Sequence, residues 1–260
     1  MVSTENFNTI SFILENLIDI KMKYLIIPII TLLLIGCNSD PKKKTYETED
    51  TEVRNPEIVE RKDNMVTTLE AIANAHGYQN WEQVKEVQFT FNVDRDTTHF
   101  ERSWKWFPKE NKVTSIMSDT IVYTYSRKDM DSMAIAKDKA FINDKYWLFA
   151  PFQLMWDQKN YTSEVKVNAE APISGKSMQR MTIVYTNEGG YTPGDAYDFY
   201  FEGDFKIKEW VYRKNNQKEP SMITTFENYK NLSGIKLALD HSTADGSTKL
   251  YFTKVGVITD

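Results

Sequence analysis

The sequence predicts an α+β protein that is mainly β, built on a meandering antiparallel sheet with a helical insertion. Between residues 163 and 258, short candidate strands are separated by turns rich in glycine, asparagine and aspartate. Residues 87–93 alternate strictly between apolar and polar side chains, which is the period of a half-buried strand. Residues 129–156 lose that period and are rich in methionine, alanine and aromatic residues, which indicates helices laid on the sheet.

A short helix is predicted ahead of the first strand. Asp63 is a candidate N-cap, and Gly77 follows His76 as a stop signal at the other end. The apolar residues between them recur at the spacing of one helical face, namely Met65, Leu69, Ile72 and Ala73. That face is expected to pack on the sheet.

The strand at 87–93 is the clearest in the chain. Because Phe89 and Phe91 alternate with polar residues, they are expected to share one buried face. After a turn, the chain is predicted to return over 100–107 with Phe100, Trp104 and Trp106 on one face. Two more strands are predicted at 112–117 and 120–125.

Seven later strands complete the predicted meander. They are Ser163–Ala169, Ser177–Tyr185, Ala196–Glu202, Phe205–Arg213, Ser221–Tyr229, Ile235–Asp240 and Lys249–Ile258. Turn residues such as those at 188–190 and 245–246 lie between them. Their even spacing is typical of an antiparallel sheet with hairpin connections.

The segment Tyr146–Trp156 is the densest apolar part of the predicted domain. Seven of its eleven residues are large and apolar, and Pro151 divides it, so 129–156 is interpreted as one to three short helices. One helical face cannot hide all of these side chains. Two interpretations stay open, because the segment either covers a cavity for a ligand or is plain core.

A different pattern precedes the domain, in the stretch Lys21–Cys37. Lys21 and Lys23 flank an apolar run of twelve residues, Tyr24–Ile35, which is followed by one glycine and the chain's only cysteine, Cys37. A basic flank, a short apolar core and a small residue at its end are features of a secretory signal. A membrane-spanning helix needs about 20 apolar residues, so the run is too short for one.

The residues Leu34-Ile35-Gly36-Cys37 resemble the lipobox of bacterial lipoproteins. This resemblance implies that Cys37 carries a lipid, becomes the first mature residue and attaches the protein to a membrane of the bacterial cell envelope, expected to be the outer membrane. The predicted organisation is an N-terminal extension and lipoprotein signal peptide at 1–36, a lipidated cysteine and flexible tether at 37–62, and a single domain at 63–260.

The segments around the signal leave two alternatives open. Residues 1–21 contain acidic residues that are unusual before a signal, so Met22 is the expected start, with an amphipathic leader as the rival interpretation. Residues 38–62 are charged and poor in apolar residues, which predicts a tether that does not order itself. Within it, Lys42–Lys44 either rest on anionic headgroups or are simply solvated.

Composition excludes several classes of function. The formal charge is −5, or −4 once the three acidic and two basic residues of 1–36 are removed. This mild negative charge argues against a nucleic-acid partner, whose binding requires clustered lysine and arginine. A single cysteine that carries a lipid leaves none for a disulfide, so stability is expected to come from burial alone.

No constellation of catalytic or metal-binding residues stands out, so neither a cofactor nor a metal is predicted, and an enzyme is not expected. The three histidines, His76, His99 and His241, lack metal-ligand spacing. His76 is interpreted as the last residue of a helix, and His99 as an exposed strand residue. His241 lies between an aspartate and a serine, but neighbours along a chain rarely form a catalytic triad.

Three stretches carry a further resemblance: His76–Trp81, Phe100–Trp106 and Ala140–Asp157. Together with the order of elements, they are similar to a family of uncharacterised bacterial envelope lipoproteins that resembles the Lol-type lipoprotein carriers, over about residues 63–258. The resemblance implies an unclosed half-barrel sheet with a helical lid. It also implies a concave ligand-binding face, for which the candidate residues are Phe89, Phe91, Trp104, Trp106, Met133, Trp147, Phe149, Phe152, Met155 and Trp210.

Two functions from different classes are consistent with these patterns. The first is a membrane-anchored envelope lipoprotein that binds a lipid, lipoprotein or acyl-type hydrophobic ligand between the sheet and the lid. The second is a structural or sensing envelope lipoprotein with a filled core and no ligand.

Overall fold

The computed structural model of the chain describes residues 66–118 and 120–260. The predicted signal, the lipid site at Cys37, the tether and the proposed cap at Asp63 all lie outside these residues. Within the described ranges, no helix is both long enough and apolar enough to span a membrane.

The first helix, α1, runs over Thr68–Ala75. Its N-cap is Thr67 and not Asp63: the Thr67 hydroxyl accepts from the Glu70 backbone, and the Glu70 carboxylate accepts from the Thr67 backbone. The helix ends where Gly77 takes a φ of 93°, as its stop signal predicts. A short 3-10 turn, Tyr78–Gln83, leads from there into the first strand.

The described chain is mainly β and forms two antiparallel sheets, neither of which closes into a barrel. The strands are β1 (Val84–Arg95), β2 (Thr98–Phe107), β3 (Lys112–Ile116), β4 (Val122–Ser126), β5 (Tyr161–Glu170), β6 (Ser177–Tyr185), β7 (Ala196–Phe201), β8 (Ile207–Arg213), β9 (Met222–Thr225), β10 (Glu227–Leu232), β11 (Ile235–Ser242) and β12 (Thr248–Thr259). The larger sheet has the order β10-β11-β12-β1-β2-β3-β4, and the smaller has the order β5-β6-β7-β8-β9.

The junction between the sheets corrects one predicted strand. The sequence predicts a single strand over Ser221–Tyr229, but the structure divides it at Phe226 into β9 and β10, which belong to different sheets. The Phe226 ring is buried against His241, 4.4 Å between ring centroids. An alternating pattern alone does not reveal this change of sheet, because both halves keep the strand period.

The insertion forms one long helix, α2, over Ser132–Trp156. Asp131 caps it by accepting from the Ala134 backbone at 2.8 Å. The helix is kinked at Phe149, where φ is −116° and ψ is 21°, two residues before Pro151. Proline lacks the N–H of the helical ladder and its ring crowds the preceding turn, which explains the kink.

The core lies between α2 and the sheets. Phe89 and Phe91 are both buried on β1, as their alternation predicts. On the neighbouring strand, Trp104 is paired with Phe89 and Trp106 with Val87. Their side chains contact Phe141 of α2, so the face predicted from β1 and β2 is the one that receives the helix.

Candidate ligand-binding site

Two buried aspartates fasten α2 to the larger sheet. The carboxylate of Asp144 is fully buried and accepts from Arg102 Nε and from the Trp104 indole, each at 2.8 Å. Burial raises the pKa of Asp144, while the hydrogen-bonded guanidinium of Arg102 acts against that shift. Since Arg102 and Trp104 are two residues apart on β2, the strand presents both to the same point of the helix.

Asp138, two turns earlier on α2, makes a similar attachment. Arg127 donates to its two oxygens at 2.8 and 3.1 Å, and the Tyr125 hydroxyl donates at 3.0 Å. Tyr125 and Arg127 lie at and just after the end of β4, so the sheet edge and the helix are joined at two positions. A buried carboxylate paired in this way has a fixed position, which also fixes the rotation of α2.

One side of α2 is filled by aromatic rings from the smaller sheet. Trp147 meets Trp210 edge-on at 4.6 Å between ring centroids, and Trp210 stacks on Tyr197 at 5.2 Å. The indole of Trp210 donates to the Thr224 hydroxyl. We call Trp147, Tyr197 and Trp210 the filled cluster, because all three side chains are buried. The Tyr197 hydroxyl and the Trp210 indole also have hydrogen-bond partners inside the protein.

Near the C-terminal end of α2 there is a cavity of about 420 Å³. Its lining comes from the 3-10 turn after α1, from β2 and the residues that follow it, from α2 and from the loop before β7. The lining residues are Trp81, Trp106, Pro108, Arg127, Ile142, Lys145, Gln153, Trp156, Asp157, Gly190 and Tyr191.

Three tryptophans form the apolar wall of the cavity. Trp81 lies 5.1 Å from Trp106 and 5.0 Å from Trp156, measured between ring centroids, and Trp106 lies 5.9 Å from Trp156. They come from three separate elements, and we call them the tryptophan wall. Trp81 and Trp156 are only partly buried, so apolar ring surface faces the cavity.

A lysine stands beside this wall. Lys145 is only 6% exposed, and its ammonium lies over the Trp156 ring at 4.7 Å and the Trp106 ring at 5.5 Å. It donates to Gln153 Oε1 at 2.9 Å. Burial, assisted by the charge of Arg127, lowers the pKa of Lys145 to about 7.

The polar side of the cavity is a short chain of hydrogen bonds. Gln153 Nε2 donates to Asp157 Oδ2 at 2.8 Å, and the same oxygen accepts from the Tyr185 hydroxyl at 3.1 Å. Gln153 and Asp157 are four residues apart, across the end of α2, which places them on one face. The cavity therefore combines an apolar wall with one fixed polar edge.

The loop before β7 closes one side of the cavity. Its Tyr191 stacks on Tyr146 of α2 with 4.0 Å between centroids and 6° between planes. Gly190 has a φ of 76°, and a Cβ at that position would come within 2.7 Å of the Tyr185 ring. A glycine is therefore required for the loop to bring Tyr191 against the helix.

The ten predicted ligand-binding residues separate into three groups in the structure. Trp106 lines the cavity. Met155 is partly buried against the core, and Met133 is 57% exposed on the first turn of α2. The others are buried in the core, namely Phe89, Phe91, Trp104, Trp147, Phe149, Phe152 and Trp210.

The remaining lining residues were not among the predicted site residues. Trp81 and Trp156 belong to stretches that carry the family resemblance, but nothing in their spacing distinguishes them from core. The sequence feature that could have indicated this cavity is the pair of polar residues Lys145 and Gln153, which flank an otherwise apolar run. Long charged residues are seldom fully buried, so a lysine in such a run marks a special environment.

The histidines do not form a catalytic or metal site. His76 caps α1, but it is buried, which lowers its pKa to about 4, so it does not act as a cation there. His99 is exposed, and its Nδ1–H donates to Asp94 Oδ1 at 2.6 Å. Burial also lowers the pKa of His241 to about 4, and its Nδ1 contacts the Thr225 carbonyl oxygen. Among residues 66–118 and 120–260, no cluster of three potential metal ligands occurs.

No family model and no curated protein matches the chain. Solved structures similar to it include a LolA superfamily protein from Nitrosomonas europaea, with 8% identity and a TM-score of 0.42, covering 75% of this chain and 95% of that one. A putative outer membrane lipoprotein-sorting protein domain from Vibrio parahaemolyticus has 9% identity and a TM-score of 0.40, covering 73% and 91%. A DUF1329 family protein from Desulfovibrio piger has 8% identity and a TM-score of 0.39, covering 73% and 93%.

All three similarities are distant, since each TM-score is below 0.5.

Proposed function

We propose that this domain binds a small lipid or acyl-type hydrophobic ligand in the cavity beside the tryptophan wall. The observation that carries the proposal is the cavity itself, about 420 Å³ between α2, the larger sheet and the loop of Tyr191. Ligand sites commonly have volumes of about 300–1,000 Å³ and combine apolar walls with a few placed polar groups. In this cavity the accessible surface is more polar than apolar, so the ligand is expected to be amphiphilic. Trp81, Trp106 and Trp156 supply the wall, and Lys145 and Gln153 supply polar groups.

The proposed site differs in position from the one that the sequence indicates. Phe149 and Phe152 are fully buried, so the middle of the predicted lid is core. The ligand would instead lie beside Ile142 and Trp156 of α2, which are only partly buried. A binding role without catalysis fits this lining, and we propose that the protein is not an enzyme.

Anchoring in the envelope is part of the same proposal. Cys37 would carry the lipid and attach the domain to the outer membrane through the tether at 38–62. Its support is the lipobox-like sequence before Cys37. Cys37→Ser should leave unprocessed precursor and release the protein from membranes after a carbonate wash. A variant that still partitions with membranes would contradict the anchor.

A second function is favoured by the filled cluster. Trp147, Tyr197 and Trp210 are all buried, so the core is closed on that side of α2. If the cavity held only water, the protein would be a structural or sensing lipoprotein that acts through its outer surface.

Native mass spectrometry of the full protein, released from membranes in mild detergent, tests the first function. A co-purifying lipid supports it. Calorimetric titration with dodecanol, a neutral acyl-type probe, should then detect binding that Trp81→Ala weakens and Trp147→Phe, as the matched control in the filled cluster, leaves unchanged. A clean apo mass together with no dodecanol binding would support the second function.

A further inference from the structure

The buried charges of α2 are unevenly compensated. Asp144 is paired with Arg102, and Asp138 with Arg127. Lys145, the residue next to Asp144, is buried as deeply, yet among the described residues no carboxylate forms a salt bridge with it. A buried charge is normally paired, so the position of Lys145 on the cavity wall requires an explanation.

The cavity wall carries one carboxylate, Asp157, which forms hydrogen bonds through one of its oxygens. Asp157 accepts from Gln153 and from Tyr185 through the same oxygen, and Gln153 in turn presents its amide oxygen to Lys145. An ammonium group has three donors. The hydrogen bond to Gln153 uses one of them, so the described residues leave Lys145 with donor capacity beside an open space.

The same geometry indicates which charge the cavity accepts. The Lys145 ammonium lies over the rings of Trp106 and Trp156, so a cationic ligand there would meet a like charge. Two further charged residues line the cavity. Arg127 is positive and is compensated by Asp138, and Asp157 is negative and attracts the Lys145 ammonium without forming a salt bridge with it. An anionic group placed near Lys145 would gain a charge-assisted hydrogen bond that a neutral group lacks.

We infer that the cavity binds an amphiphile with an acidic head group, a carboxylate or a phosphate monoester, whose anion pairs with Lys145 while its apolar part lies against the tryptophan wall. This inference rests on the proposed function and names the class of ligand. Lys145 would supply the charge, Gln153 would hold the ammonium in position, and Trp81, Trp106 and Trp156 would contact the chain.

The inference is tested by calorimetric titration of the full protein with three probes of equal chain length. Each probe is kept at a concentration at which it stays dissolved as single molecules. The probes are dodecanoate, dodecyl phosphate and dodecanol. At pH 6, where Lys145 is charged, the acidic probes should bind about 10-fold to 100-fold more tightly than dodecanol. Tighter binding of only one acidic probe distinguishes a carboxylate ligand from a phosphate ligand.

Lys145→Met keeps an unbranched side chain of similar length and removes the charge, so it should abolish the preference for the acidic probes over dodecanol. Lys139→Met, on an exposed position of the same helix, is the matched control and should leave this preference unchanged.

The outcomes separate the two proposals. If acidic probes and dodecanol bind equally to the wild type, the inference is overturned and the hydrophobic site stands. If none of the three binds, both are overturned. The comparison of probes on the wild type decides the question even if the Lys145→Met variant does not fold.

Discussion

Two aromatic regions lie along α2, and they differ in how the polar groups beside the rings are paired. In the filled cluster, Trp147 and Trp210 meet at 4.6 Å, and the Trp210 indole is satisfied inside the protein by Thr224. At the tryptophan wall, Trp81 and Trp156 lie 5.0 Å apart, but beside them stands a lysine without a carboxylate partner among the described residues. Both regions are aromatic, and they differ in the buried lysine beside the tryptophan wall.

The kink of α2 lies between Trp147 and Trp156. Pro151 removes a helical hydrogen bond and crowds the carbonyl of Trp147, and the helix changes direction at Phe149. Trp147 precedes the kink and packs on the smaller sheet, while Trp156 follows it and meets Trp106 of the larger sheet. The cavity is lined from both sides of the kink, since Lys145 precedes it and Trp156 follows it.

The largest expected effect tests whether the filled cluster is core. Trp147→Ala should lower the free energy of unfolding by about 3–5 kcal/mol, because a large buried side chain leaves a cavity behind. Trp156→Ala, at a partly buried position of the wall, should lower the free energy of unfolding clearly less. Urea melts of both variants measure this, and equal losses would mean that the two regions are energetically the same.

The free energy of unfolding should depend on alkaline pH through Lys145 beside the tryptophan wall. The charged groups that act on Lys145 are Arg127, Asp157 and Asp138. Its folded pKa of about 7 lies below the ordinary 10.5, so the unfolded chain binds the extra proton between these values and stability rises with pH. From pH 7 to pH 9, the wild type should gain about 2 kcal/mol relative to Lys145→Met. Urea melts at both pH values check this, and parallel behaviour of the two proteins would show that Lys145 is solvated.

The region of the filled cluster should make the free energy of unfolding depend on acidic pH instead. His241 contacts the rings of Trp147 and Phe226, and its pKa of about 4 lies below the ordinary 6.5. The unfolded chain therefore takes up a proton first, and stability falls as the pH drops through this window. Between pH 7 and pH 5, the wild type should lose about 2 kcal/mol more than His241→Leu. An exposed control, His99→Asn, should follow the wild type closely in the same melts.

The smallest effect concerns Met133, which belongs to neither region. Because its side chain is 57% exposed, Met133→Ser should change the free energy of unfolding by less than about 0.5 kcal/mol and leave dodecanol binding unaltered. Thermal melts and calorimetry measure the two quantities. A loss of dodecanol affinity would extend the binding surface to the start of α2.

Much of the fold could be predicted from the sequence because its signals are local. The alternation around Phe89 and Phe91 identifies β1 and its buried face, and the turn residues between 185 and 250 separate the later strands close to their observed limits. Gly77 ends α1 as expected. In each case, the period or the turn chemistry of a few neighbouring residues is sufficient.

The site was decided by contacts between distant parts of the chain. Trp81, Trp106, Lys145 and Trp156 come together only because the ion pair of Asp144 with Arg102 sets the position of α2 and the kink at Phe149 directs its last turns. The division of the predicted strand at Phe226 also depends on contacts between distant parts of the chain, because β9 and β10 pair with strands of different sheets. Residue types and spacings describe which face of an element is apolar. Whether that face meets another surface completely or leaves a void depends on how the elements are oriented, and tertiary structure alone determines that orientation.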